Sequence, residues 1–107
     1  MKILWTREAL DRLIEIEEFI AKDNAERAIQ FVDEIIAHAG SLLPGEPRIG
    51  RIVPEISNPA IRELLFKKYR IVYRVNKSSV EILTVFEGHR LLRIGAEPQD
   101  RSGARES

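Results

Sequence analysis

The chain has 107 residues, 44% of them apolar and 32% charged, and no cysteine. That length fits one domain with a single core and excludes a multidomain enzyme, while the missing cysteines exclude disulfide scaffolds, thiolate metal sites and cysteine nucleophiles. The formal charge is zero, yet residues 1–47 carry 5 basic and 10 acidic side chains and residues 48–93 carry 10 basic and 4 acidic, a split that points to an acidic or polyanionic partner for the second half.

Lys2-Ile-Leu-Trp5 is short and apolar and ends at Thr6, the pattern of a brief strand meeting a helix N-cap. This stretch is too short for a signal peptide, and no segment reaches the roughly 18 apolar residues of a membrane span. A cytoplasmic protein without membrane contact is expected. From Arg7 to about Lys22, Leu10, Leu13, Ile14, Ile16, Phe19 and Ile20 recur at spacings of three and four, which predicts an amphipathic helix. Asp23-Asn24 breaks it, and Asp23 with Glu26 has the outline of a capping box. Ala25, Ala28, Ile29, Val32, Ile35, Ile36, Ala39, Leu42 and Leu43 then form a second helical stripe that Pro44-Gly45 must end. The short connection makes the two helices an antiparallel hairpin.

Residues 44–59 hold four of the five prolines and read as a crossing loop, with a short extended piece within Arg48–Val53. Ile61 to Phe66 alternates Arg62, Leu64 and Phe66 against Ile61, Glu63 and Leu65, a strand covered on one side, with Lys67-Lys68 as the following turn. Tyr69, Ile71, Tyr73 and Val75 line one face of the next strand, and Arg70, Val72 and Arg74 line the other. After the turn residues Asn76-Lys77-Ser78, a third strand sets Val80, Ile82, Thr84 and Phe86 against Glu81, Leu83 and Val85. The expected class is α+β: a short N-terminal strand, an antiparallel helical hairpin and a three-stranded antiparallel meander. Residues 1–93 form one domain, and the polar tail 94–107 is expected to be disordered.

Trp5-Thr6, Phe19-Ile-Ala-Lys-Asp-Asn24, Pro47-Arg-Ile-Gly-Arg51, Val53-Pro-Glu55, Ile61-Arg-Glu-Leu64 and Tyr69-Arg-Ile-Val-Tyr-Arg74 occur in an order and spacing that resembles toxins of the RelE and ParE type. The resemblance spans residues 3 to about 92, and the Gly-Arg and Val-Pro-Glu pair followed by Ile-Arg-Glu-Leu is closer to the ParE branch. It implies the toxin of a bacterial type II toxin-antitoxin pair, held inactive in a hetero-oligomer by a cognate antitoxin. ParE-like members poison DNA gyrase; RelE-like members cut messenger RNA at the ribosome. One fold serves both targets, so the site must decide.

Metal-independent RNA cleavage needs a base for the ribose 2'-hydroxyl, an acid for the leaving oxygen and cations around the phosphorane. Arg62, Arg70, Arg74 and His89 would fill those roles in a ribonuclease, with Glu55 or Tyr73 as further acid-base groups. Beyond them the chain offers few such groups, so no catalytic residue, cofactor or metal is expected. The surface expected to bind target or antitoxin comprises Arg62, Leu64, Lys67, Lys68, Arg70, Val72, Arg74, Leu83 and Arg90. There the apolar members would be covered by an antitoxin segment and the arginines would pair with its carboxylates. Charge reversal at Arg70 and Arg74 is expected to weaken growth inhibition with folding intact. Plainer roles stand beside these: Arg62 and Arg70 pairing with Glu63, Glu81 or Glu87 across strands, Tyr69 and Tyr73 as core residues, Trp5 as a packing anchor, His38 at the surface near a helix C-terminus, and Gly50 for loop geometry.

Overall fold

Thr6 is the joint at which strand becomes helix. Its hydroxyl accepts the Ala9 N–H at 3.1 Å as the N-cap of the first helix and donates to the Ile82 carbonyl at 2.8 Å, with the Leu83 carbonyl at 3.1 Å. One side chain thus starts the helix and fixes it to the sheet. The computed structural model describes residues 1–88. In chain order they form β1 (Lys2–Trp5), α1 (Arg7–Ala21), α2 (Ala25–Leu42), β2 (Arg51–Ile52), β3 (Ile61–Phe66), β4 (Tyr69–Val75) and β5 (Ser79–Glu87). The α+β class and the predicted element order hold. His89, Arg90 and the tail 94–107 lie outside the described residues.

The five strands form one mixed sheet in the order β1-β5-β4-β3-β2, with β1 parallel to β5 and the other neighbours antiparallel. The helices lie on one face. Ala9, Leu13 and Ile16 of α1 and Phe31, Ile35 and Ala39 of α2 bury against Leu64, Tyr69, Ile71, Tyr73, Val80, Ile82 and Val85. A second, smaller core of Val53, Ile61 and Val72, joined by Ile56, Leu83 and Phe86, forms on the opposite face beneath the 44–60 loop. β4 is therefore buried on both faces over Tyr69–Tyr73, which explains why its sequence is nearly all apolar or aromatic apart from its arginines.

Three expectations change. The cap of α2 is Asn24, whose side chain accepts from Arg27 N at 3.0 Å, and not Asp23, because Asn24 is the residue with extended backbone immediately before the helix. In β5 the register runs Tyr73↔Ile82 and then Val72↔Thr84, leaving Leu83 as an extra residue. Past that bulge the alternation flips: Val85 enters the main core while Leu83 and Phe86 pack against the second one. Finally, the helical stripes are wider than the sheet can cover. Leu10, Ile14, Phe19, Ile29 and Ile36 are 43%, 50%, 63%, 55% and 41% exposed, whereas Phe31, absent from the predicted stripe, is core. Among the described residues no helix is long and apolar enough to cross a membrane.

Thr6→Val keeps the shape of the side chain and removes both hydroxyl bonds. It should lower stability by about 1–2 kcal/mol, read as a fall in the urea midpoint with an unchanged slope. Thr6→Ser should recover most of the loss.

Candidate functional site

The outer face of the sheet is organised by Arg70. β4 aims its side chain away from the helices, where it is 5% exposed, and such a cation is tolerable only if it is paired. Nε donates to Glu63 Oε1 at 2.6 Å, while Nη1 and Nη2 donate to the two Glu55 oxygens at 2.9 and 2.8 Å. The second contact is the bidentate fork that guanidinium geometry favours. Glu63, fully buried on β3, also accepts from Arg51 on β2. The guanidinium of Arg70 lies 5.0 Å from the Phe86 ring centre. The Glu55 bond, supported by Glu63, raises the Arg70 pKa above the ordinary guanidinium value against the opposing effect of burial. Arg70 therefore anchors the 44–60 loop to the sheet.

A second tie fixes the other end of that loop. Gly50 N–H donates to the Tyr73 hydroxyl at 2.9 Å, and a Cβ on residue 50 would stand 2.5 Å from the Glu63 carbonyl oxygen and 2.6 Å from that hydroxyl. Only glycine admits this approach. Arg62 then stitches the loop from the strand, donating Nη1 to the Gly50 carbonyl at 2.9 Å and Nε to the Pro59 carbonyl at 3.0 Å. Arg48 Nη1 reaches the same Pro59 oxygen at 3.4 Å. Burial pushes the Tyr73 hydroxyl above its ordinary pKa, while the Gly50 N–H, Arg62 and Arg48 pull it down.

At the far end of the sheet the β3–β4 turn meets the helical hairpin. Lys67 takes a left-handed backbone, φ 54°, and its ammonium sits 5.8 Å from the Phe31 ring centre and 5.7 Å from that of Phe66. Lys68 pairs with Glu87 at 3.3 Å. An open apolar groove here is lined by Phe19, Ile20, Phe31 and Tyr69 and edged by Arg27, Lys67 and Lys68.

The residues singled out from sequence separate in space. Leu64 and Val72 are covered by the chain itself, in the helix-side core and the loop-side core, so they are corrected from exposed contact residues to packing residues. Leu83 is partly buried against the second core. Arg70 is likewise corrected from a surface cation to a buried anchor. Its pairing with Glu63 matches the cross-strand alternative, and its pairing with Glu55 comes from the loop. Arg62 points to the Tyr73 side of the sheet and Arg70 to the other, so Arg62, Arg70 and Arg74 do not converge; Arg74 alone of the three is exposed. Tyr69 and Tyr73 are core, Trp5 packs at the core margin, and the His38 ring lies 5.1 Å from the Phe66 ring instead of standing in solvent. Arg48 and Arg51 carried no assigned role in the sequence; their placement in a proline-rich loop, on either side of Ile49-Gly50, was the available signal. Among the described residues no group of three or more His, Asp or Glu could hold a metal ion.

The architecture is shared by solved structures. The chromosomal ParDE TA system from P. aeruginosa superposes with a TM-score of 0.68 at 23% identity, over 81% of this chain and 95% of that one. The toxin-antitoxin complex RelBE2 from Mycobacterium tuberculosis gives 0.60 at 19% identity, over 80% and 88%. These likenesses concern the fold. Y4kP of Sinorhizobium fredii, a protein named provisionally as a toxin, is 38% identical over 92 residues, 82% of this chain and 88% of its own. The family described as the ParE toxin of type II toxin-antitoxin system, parDE, matches residues 3–92. The chain belongs to that family.

Two predictions separate anchor from surface. Arg70→Glu would set a third carboxylate against Glu55 and Glu63 and should destabilise the fold by about 3–5 kcal/mol or prevent folding, whereas Arg74→Glu should change stability by less than about 0.5 kcal/mol; thermal melts of both variants check this. Because the folded-state pKa of Tyr73 is raised, its contribution is fully present below the unfolded pKa of about 10 and is lost as pH climbs through the folded value. Wild type should therefore lose stability above pH ~10 more steeply than Tyr73→Phe, in urea titrations across that window.

Proposed function

We propose that this toxin inhibits DNA gyrase by binding, with no bond-making chemistry of its own, and that a cognate antitoxin neutralises it. The observation that carries the first part is the state of Arg70. Its guanidinium is buried and shared between two carboxylates, which leaves it unsuited to stabilising a phosphorane that would have to displace them. Around it the described residues offer no acid-base pair. Both tyrosines are core, His38 packs on Phe66 beside the helices, and Arg62 faces the other side of the sheet. This arrangement supports a reading without RNA cleavage. The membership in the ParE family then favours gyrase over the ribosome and messenger RNA.

The antitoxin half of the reading is supported by surface chemistry. Leu10, Ile14, Ile29 and Ile36 leave apolar area uncovered on the helical hairpin, more than isolated surface residues need. The two structural relatives come from toxin-antitoxin systems, which agrees with a protein partner for this surface.

Purified, antitoxin-free protein added to gyrase, ATP and supercoiled plasmid should yield linear DNA that forms only when both proteins are present. Arg74→Glu, at an exposed position, should reduce the yield while the protein melts as wild type. Fully supercoiled, uncut plasmid from folded protein would overturn the gyrase reading, and cut messages in a translation extract would then assign the ribosomal target. Growth inhibition that no neighbouring gene product relieves on co-expression would overturn neutralisation.

A further inference from the structure

The guanidinium groups of Arg48 and Arg62 converge on one acceptor, the Pro59 carbonyl, at 3.4 and 3.0 Å. Two like charges side by side repel unless an anion lies between or beside them. No described carboxylate fills that role. Glu63 is engaged by Arg51 and Arg70, Glu55 by Arg70, and the remaining ion pairs lie on the helices or at the β3–β4 turn. One member of the pair is also held in place. Arg62 is fixed by bonds to the Gly50 and Pro59 carbonyls, and Gly50 is fixed by Tyr73, so little ordering remains to be done when a ligand arrives.

We propose that Arg48 and Arg62 form a carboxylate-docking site for an acidic segment of the antitoxin, an inference that rests on the antitoxin reading for the partner's identity. What favours an acidic peptide over nucleic acid is the company these arginines keep. Ile49 and Ile52, in the same short run of chain, are 47% and 40% exposed. Guanidinium groups beside exposed aliphatic side chains are the composition of a protein-binding patch. A single-stranded nucleic acid would call for aromatic rings on which bases stack, and the nearest one, Tyr73, is wholly buried. The patch thus suits a peptide carrying Asp or Glu next to an aliphatic residue. Arg62 supplies the fixed charge and Arg48, exposed on the loop, the second arm of the clamp.

The test uses the full chain and a fluorescently labelled synthetic peptide alternating Glu-Glu-Leu, with its Gln-Gln-Leu counterpart and decathymidylate as comparators, read by anisotropy at fixed salt. Wild type should bind the acidic peptide saturably and at least fivefold more tightly than the glutamine peptide. Arg48→Gln should lose at least fivefold of that affinity, and Lys2→Gln, an exposed cation on the opposite edge strand, should keep it. Arg48 makes one long side-chain hydrogen bond, so its variant should melt with the wild type, and the melt verifies that weakened binding reflects lost charge. Equal binding by Arg48→Gln and wild type, or no preference for the acidic peptide, would overturn the site. Decathymidylate binding with the same dependence on Arg48 would overturn it in favour of a phosphate site. No antitoxin enters this assay, so its failure discards the docking site while neutralisation stands or falls on co-expression.

Discussion

The buried pairing of Arg70 with Glu55 and Glu63 is the constraint on which the outer half of the structure depends. A sheet of this size needs both faces covered if its central strand is to be apolar on both, and only one face has helices. The other is covered by the 44–60 loop, which has no regular structure beyond two residues of β2 and so cannot be held by backbone ladders. The bidentate Arg70–Glu55 contact supplies the attachment. With it in place, Val53 and Ile56 lie over Val72 and a second core exists. A buried ion pair gives little net stability compared with apolar residues of the same shape, but breaking one side of it is expensive. That asymmetry suits a residue that specifies where a loop sits.

The close approach of Gly50 to Tyr73 and the Glu63 backbone serves the same loop from its other end. Between the two ties, the chain from 50 to 55 runs along the edge and outer face of the sheet and presents Arg51 and Ile52 to solvent on a supported backbone, with Arg48 and Ile49 exposed just ahead of the first tie. Residues carried by a pinned loop are more precisely placed than residues on a loose one, and recognition surfaces tend to be built this way. The loop therefore has two roles that arise from one set of contacts: it closes a core inward and displays charge outward.

Much of this was legible in the sequence because it is local. Spacings of three and four located both helices, alternation located β3 and β4, and turn residues located the breaks between strands. What local pattern could not supply was the identity of neighbours far along the chain. Arg70 and Arg74 occupy equivalent positions in an alternating strand, yet one is an anchor and the other a surface cation, because Glu55, fifteen residues before Arg70, returns to meet only the first. The extra residue Leu83 in β5 reversed the facing of Val85 and Phe86 without any glycine or proline to mark it. The apolar stripes of the helices were read as core along their whole width, but the sheet covers only their centre, and Leu10, Ile14, Ile29 and Ile36 fall outside it.

The charge split takes on a more definite meaning once ion pairs are assigned. The surplus of positive charge in residues 48–93 is not spread evenly over the second half. Arg51 and Arg70 are matched by Glu63 and Glu55, Lys68 by Glu87, and Lys67 approaches Glu34 across to the second helix. Arg48, Arg62 and Arg74 have no such described partner, and β3 begins where β4 ends, so they gather toward one end of the sheet. The acidic excess of residues 1–47 belongs mainly to the helices. A molecule of zero net charge can thereby carry an oriented field, positive at the loop end and negative over the hairpin. Such a field selects the approach direction of a charged partner and acts over roughly a Debye length of about 8–10 Å. Its effect falls on the rate and orientation of encounter, while the exposed aliphatic residues beside the arginines govern how long the partner stays.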